Sequence, residues 1–113
     1  MSAPRSICVY CGSSLGRERI YASGAEVLGT AIGKAGYRLV YGGGTKGIMG
    51  TVARATLAAG GSVLGIIPEF LTSKEASGGA LSGQVETIVT RDMHERKHLL
   101  FDRADAFVTL PGG

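Results

Sequence analysis

The sequence predicts an α/β protein built as a three-layer, Rossmann-like, doubly wound parallel sheet. Three observations carry that expectation. Short apolar runs at residues 6–11, 38–41, 62–67 and 106–110 have the near-continuous hydrophobicity of strands buried on both faces. Helix-period segments stand among them, and a rhythm of strand then helix gives parallel pairing through right-handed crossovers. Glycine-rich turns close three of the strands, at Gly12-Ser13-Ser14, at residues 42–47 and at Pro111-Gly112-Gly113.

Taken in order, the first strand covers residues 6–11. A helix follows over residues 19–35, where Tyr21, Ala25, Leu28, Ile32 and Ala35 fall on one stripe, and Gly36 stops it. Arg38, Leu39, Val40 and Tyr41 make the second strand, which runs straight into Gly42. The next helix, residues 47–59, turns Met49, Val52, Ala53, Thr56 and Leu57 toward the sheet and ends at Gly60-Gly61. Residues 62–67 form the third strand, halted by Pro68. From 69 to 83 the pattern dissolves into a loop or lid. Residues 84–90 alternate enough for a fourth strand. Asp92 then caps a helix running to Ala104, with Glu95 three residues on as in a capping box, and residues 106–110 are the fifth strand. That strand ends inside its glycine turn, so the expectation is a fragment, truncated after the fifth strand.

Composition narrows the function. At 113 residues the chain is expected to form one domain over 1–113, burying roughly two thirds of its unfolded surface. Twelve basic and nine acidic residues give a net charge of +3, spread without a polybasic run, which argues against nucleic-acid or membrane-surface binding. The apolar run at residues 63–67 is far too short to cross a bilayer, and no secretory leader pattern opens the chain, so a cytoplasmic address is expected. Cys8 and Cys11 have a C-x-x-C spacing. On one strand, however, they would face opposite sides and lie about 10 Å apart, beyond the roughly 7 Å a disulfide spans. Burial as small core hydrophobes is the simpler reading.

Gly42-Gly43-Gly44-Thr45-Lys46-Gly47 is where an apolar strand breaks into glycines and restarts as a helix. Main chain without side chains can approach a ligand closely, and the helix start offers N–H groups to an anion such as phosphate. A tight turn needing small residues is the plainer alternative. The segment also satisfies G-x-G-x-x-G with Glu69 near the end of the next strand, a weak pointer to a dinucleotide. Ile48, standing where a lysine would follow the last glycine, excludes a phosphate-binding loop of the Walker type.

The second informative stretch is Asp92-Met93-His94-Glu95-Arg96-Lys97. Cations near a helix start cost a few tenths to about 1 kcal/mol each against the helix dipole. Either an anionic ligand compensates Arg96 and Lys97, or Asp92 and Glu95 do so with both cations in solvent. Arginine also suits bidentate phosphate or carboxylate binding. His94 and His98 share a helix face at metal-ligand spacing, but no third ligand is apparent and no metal is expected.

Together, residues 6–14, 40–50, 92–97 and 104–113 resemble the LOG (Lonely Guy) family, cytokinin riboside 5′-monophosphate phosphoribohydrolases often labelled possible lysine decarboxylases. Ile48 and Leu100 are mild departures, where leucine and methionine are usual. The resemblance implies a hydrolase that splits AMP or its N6-prenylated form into free base and ribose 5-phosphate, without cofactor, as a homodimer. It gives Arg96 a catalytic role and assigns substrate binding to Glu75, Met93, Arg96, Lys97, Gly112 and Gly113. Ser13, Gly43, Gly44 and Thr45 fall to the phosphate-facing loops. Of the family's P-G-G-x-G-T-x-x-E motif the chain holds Pro111-Gly112-Gly113, without the essential glutamate, so these 113 residues alone are expected to hydrolyse little. Competing readings are a non-catalytic carrier of nucleotide or molybdenum cofactor and, third, an NAD(P) oxidoreductase domain. A decarboxylase using pyridoxal phosphate has no recognisable lysine site.

Overall fold

The computed structural model describes residues 5–10, 19–43, 47–71 and 85–110. Within them the order is β1 (Ser6–Tyr10), α1 (Arg19–Lys34), β2 (Arg38–Tyr41), α2 (Gly47–Ala58), β3 (Ser62–Pro68), a 3-10 turn (Glu69–Leu71), β4 (Glu86–Thr90), α3 (Met93–Asp102) and β5 (Ala106–Thr109). All strands pair in parallel, in the order β4-β3-β2-β1-β5. The chain therefore winds outward from β1 to β4 and returns to lay β5 on the other side of β1. Right-handed crossovers place α1 and α2 on one face during the outward run and α3 on the opposite face during the return.

Alternation along the strands divides the core accordingly. Val9, Leu39, Tyr41 and Val63 pack with Ala25 and Ile32 of α1 and with Ile48, Met49, Val52 and Ala53 of α2. Cys8, Val40, Leu64 and Ile66 pack on the other face with Leu100 of α3. The expected three layers are present.

Helices α1 and α2 touch almost backbone to backbone. A Cβ added at Gly33 would lie 2.6 Å from the Thr56 carbonyl oxygen and 2.7 Å from the Ala59 Cβ, so the interface admits no side chain there.

Several boundaries differ from expectation, and α1, α2 and β5 each end one residue early, at Lys34, Ala58 and Thr109. Pro68 belongs to β3, paired in register with Thr90; it lacks an N–H to donate, and the strand ends with it. Helix α3 ends at Asp102, where the Arg103 N–H donates to the Leu99 carbonyl, and Ala104 packs against the second core instead. Strand β4 begins at Glu86, with Val85 in a bend.

At the amino ends of the central strands a small network fixes β1 between its neighbours. The Ser6 N–H donates to Asp105 Oδ2 at 2.8 Å, the Asp105 N–H returns a bond to the Ser6 carbonyl at 2.7 Å, and Arg38 Nε donates to Ser6 Oγ at 3.1 Å. Among the described residues no helix is long and apolar enough to cross a membrane.

Candidate functional site

Strand order reverses at β1, and a doubly wound sheet opens a crevice where that happens, outside the carboxyl ends of the strands. Here β2 leaves the sheet at Tyr41 and enters Gly42 and Gly43, both buried. Gly43 has φ +81°, a left-handed conformation that disfavours any side chain.

Helix α3 brings the chemistry to this edge. Asp92 is its N-cap, and its carboxylate accepts the Glu95 N–H at 2.9 Å. The reciprocal half of the expected capping box is absent: Glu95 turns to Arg91, accepting from its backbone N–H at 3.4 Å and pairing with its Nε at 3.1 Å. Thr90, buried at the end of β4, donates its hydroxyl to the Asp92 carbonyl at 3.0 Å and ties the cap to the strand.

So oriented, Arg96 reaches from α3 across the tips of β3 and β2. Its Nε donates to the Ile66 carbonyl at 3.0 Å, its Nη2 to the Gly42 carbonyl at 2.6 Å, and its Nη1 to the Met93 sulfur at 3.6 Å. The residue is only 8% exposed. The alternative that leaves both cations in solvent does not hold for Arg96, whose charge meets the negative ends of two carbonyl dipoles. Lys97, on the next position of the helix, is exposed.

A cavity of about 180 Å³ opens beside the guanidinium, lined by Val9, Tyr10, Gly42, Met49, Met93, Arg96, Lys97 and Leu100. Its walls are apolar and its charge is concentrated in Arg96 and Lys97, the composition of a small-molecule pocket with an anion-facing end. A larger open groove, about 530 Å³, runs along the α1 surface past Glu26, Thr30 and Lys34, away from this cluster.

Of the residues expected at the site, Met93, Arg96 and Lys97 line this cavity, and Gly43 follows Gly42 at its edge. Ser13, Gly44, Thr45, Glu75, Gly112 and Gly113 lie outside the described residues, as does Cys11. Sequence reasoning missed Tyr10 as a wall residue and the Ile66 and Gly42 carbonyls as anchors. Main-chain atoms leave no compositional trace, whereas the strand-end position of Tyr10 before Gly12 could have suggested it.

Cys8 is fully buried and belongs to the core. Burial pushes its thiol above the ordinary value, partly offset by a hydrogen bond with Tyr10. Burial, and then the neighbouring Cys8, raise the Tyr10 phenol as well. Tyr10, Phe107 and Phe101 form an aromatic row on the α3 side, with ring centroids 6.0 Å and 5.5 Å apart. His98 pairs with Asp102 at 3.2 Å on the surface. Among the described residues no three His, Cys, Asp or Glu side chains gather as metal ligands.

Fold and cleft define a doubly wound α/β protein with a basic, partly apolar pocket at its switch point. The model of the family described as "possible lysine decarboxylase" matches residues 49–113. The chain belongs to this family, the LOG family. It is 46% identical over 110 residues to the cytokinin riboside 5′-monophosphate phosphoribohydrolase of Rhodococcoides fascians, covering 97% of this chain and 54% of that protein. It is 45% identical over 109 residues to the rice (Oryza sativa subsp. japonica) enzyme of the same name, LOG, covering 96% and 44%. The chain thus spans about half the length of the curated relatives it matches. Among solved structures it resembles the molybdenum cofactor binding protein of Rippkaea orientalis (TM-score 0.80, 21% identity, 100% of this chain and 66% of that one). It also resembles the molybdenum cofactor carrier protein of Chlamydomonas reinhardtii (TM-score 0.77, 21% identity, 98% and 64%). These last two likenesses concern the fold.

Proposed function

We propose that the protein carrying this chain hydrolyses the N-glycosidic bond of a nucleoside 5′-monophosphate, AMP or N6-prenyl-AMP, to free base and ribose 5-phosphate. The observation that carries the proposal is the Arg96 guanidinium, held beside Gly42 at the lip of the switch-point cavity, in a chain 46% identical to a named phosphoribohydrolase. In the reaction the C1′–N bond breaks, water oxygen bonds to C1′, and a water proton passes to the departing base. The ribose passes through an oxocarbenium-like state, as in sugar hydrolysis, so the site needs a carboxylate near the ring and fixed donors for substrate oxygens.

Arg96 supplies the fixed donor. Its anchoring carbonyls set the plane of the head before substrate arrives, so little reorganisation is needed as charge develops. Lys97 adds positive charge at the rim, Met93 an apolar contact, and Gly43, Gly44, Thr45 and Ser13 the phosphate-facing main chain. Glu75, Gly112 and Gly113 complete substrate binding on this reading, and the resemblance assigns the acid to the glutamate of the family's P-G-G-x-G-T-x-x-E motif, which Pro111-Gly112-Gly113 begins. The same resemblance extends the reading to a cytoplasmic homodimer that needs no cofactor.

The test is chromatography of base and sugar phosphate after incubation of the full protein with AMP and with N6-prenyl-AMP. Release of adenine or the prenylated base in step with ribose 5-phosphate is expected, with Arg96→Ala slowing it by about 100-fold or more. Nucleotide recovered intact would favour the carrier reading, and undiminished release by Arg96→Ala would remove that residue from the mechanism.

A further inference from the structure

We infer that Gly42 is a positioning residue for Arg96: the space left by its missing side chain holds the guanidinium, and its carbonyl fixes the direction of that head. The inference deepens the proposed function and rests on it only for its catalytic readout.

The two described glycines at the end of β2 are glycines for different reasons. Gly43 needs its residue type for its own backbone, with φ +81° and Ile67 Cβ 3.1 Å from where a Cβ would stand. Gly42 does not. Among the described residues only Gly36, Gly43 and Gly60 have positive φ, so the Gly42 backbone is free of the left-handed strain that would exclude alanine. What excludes a side chain is Arg96. A Cβ at position 42 would collide with Nη2 and would stand 3.1 Å from Cζ. Its other close neighbour, the Met49 terminal methyl at 3.1 Å, is the far end of a flexible side chain and can yield.

That geometry separates the roles cleanly. The Gly42 carbonyl takes Nη2 at 2.6 Å and the Ile66 carbonyl takes Nε at 3.0 Å, from two adjacent strands. Two acceptors on different donor nitrogens fix both the position and the rotation of a planar fork, which one acceptor could not do. An alanine at 42 leaves the main chain in place and displaces the head, turning it away from its position at the cavity. A glycine that looks like a phosphate contact in the sequence acts, on this reading, through the arginine.

The experiment compares Gly42→Ala, Arg96→Ala and the double variant in the full protein. Nitrogen-15 spectra of the arginine side chains read the head directly without substrate. In the unsubstituted protein the Arg96 Nη signals are resolved by slowed rotation, and in Gly42→Ala they collapse. In the AMP assay, Gly42→Ala lowers kcat by about 100-fold, with KM changed less. The double variant is within about threefold of Arg96→Ala alone, because the clash has no partner left. Unchanged Arg96 signals in Gly42→Ala, or losses that simply multiply in the double variant, would overturn the inference. Should Gly42→Ala fail to fold, the double variant must fold as Arg96→Ala does, and its failure would equally overturn it. A protein that releases no base sinks the proposed function while the arginine spectra still decide the role of Gly42.

Discussion

A guanidinium in the first turns of a helix stands where the backbone already carries partial positive charge. Arg96 is accommodated because its side chain leaves the helix and meets the Ile66 and Gly42 carbonyls at the strand tips. Its importance was legible in the sequence as a misplaced charge, but its partners were not, since any residue type can present a carbonyl. Cys8 reads more simply: its place in an apolar strand run already implied burial. Because burial raises its pKa, the folded state holds the thiol proton more tightly than the unfolded chain. Its stabilising contribution is complete below the ordinary thiol value of 9.0 and is lost as pH rises beyond it. Urea unfolding between pH 8 and pH 10 should therefore show stability falling with pH, and falling less steeply in Cys8→Ser. An equal slope in that variant would mean that other groups cause the decline.

Helix α3 is the element that turns a sheet edge into a site, and its start is fixed by Asp92. The sequence announced this through Asp92 and Glu95 three positions apart, and the Asp92 half of the motif is formed at 2.9 Å. Glu95 choosing Arg91 over the Asp92 N–H was not readable, because both partners lie within reach of a flexible carboxylate and the choice depends on how β4 leads into the helix. The end of α3 was equally opaque, since Ala104 is as good a helix former as any residue and only core packing removes it. Asp92→Ala should cost about 1 kcal/mol of stability, measured by urea unfolding, and should slow base release because Arg96 stands one turn from the cap. Arg91→Ala breaks only an ion pair whose arginine side chain is 90% exposed and should cost a few tenths of a kcal/mol. Equal costs for the two variants would show that the cap does not anchor the helix.

At the scale of the molecule, the alternation of strands and helices foretold parallel pairing and helices on both faces, but not which strand lies beside which. Local patterns carry no information about the return of β5 to β1, a pairing made between segments about a hundred positions apart. Asp105 does part of that work, accepting the Ser6 N–H at 2.8 Å across a separation of 99 positions and returning its own N–H to the Ser6 carbonyl. Ser6 is almost fully buried, at 3% exposure, so its N–H would lose a charged acceptor with little water to replace it. Asp105→Ala should therefore cost about 1–3 kcal/mol. The loss should be local in hydrogen exchange: amides of β5 and the β1 amides bonded to it exchange faster, while β2 and β3, held by their own ladder and by α1 and α2, keep their protection. Because Phe107 of β5 stacks on Tyr10, which lines the cavity, loosening β5 frees that wall residue, and base release should fall with the lost protection. Uniform acceleration of exchange across all five strands would show instead that the sheet opens as one unit and that the Ser6–Asp105 contact has no special part in holding the switch point.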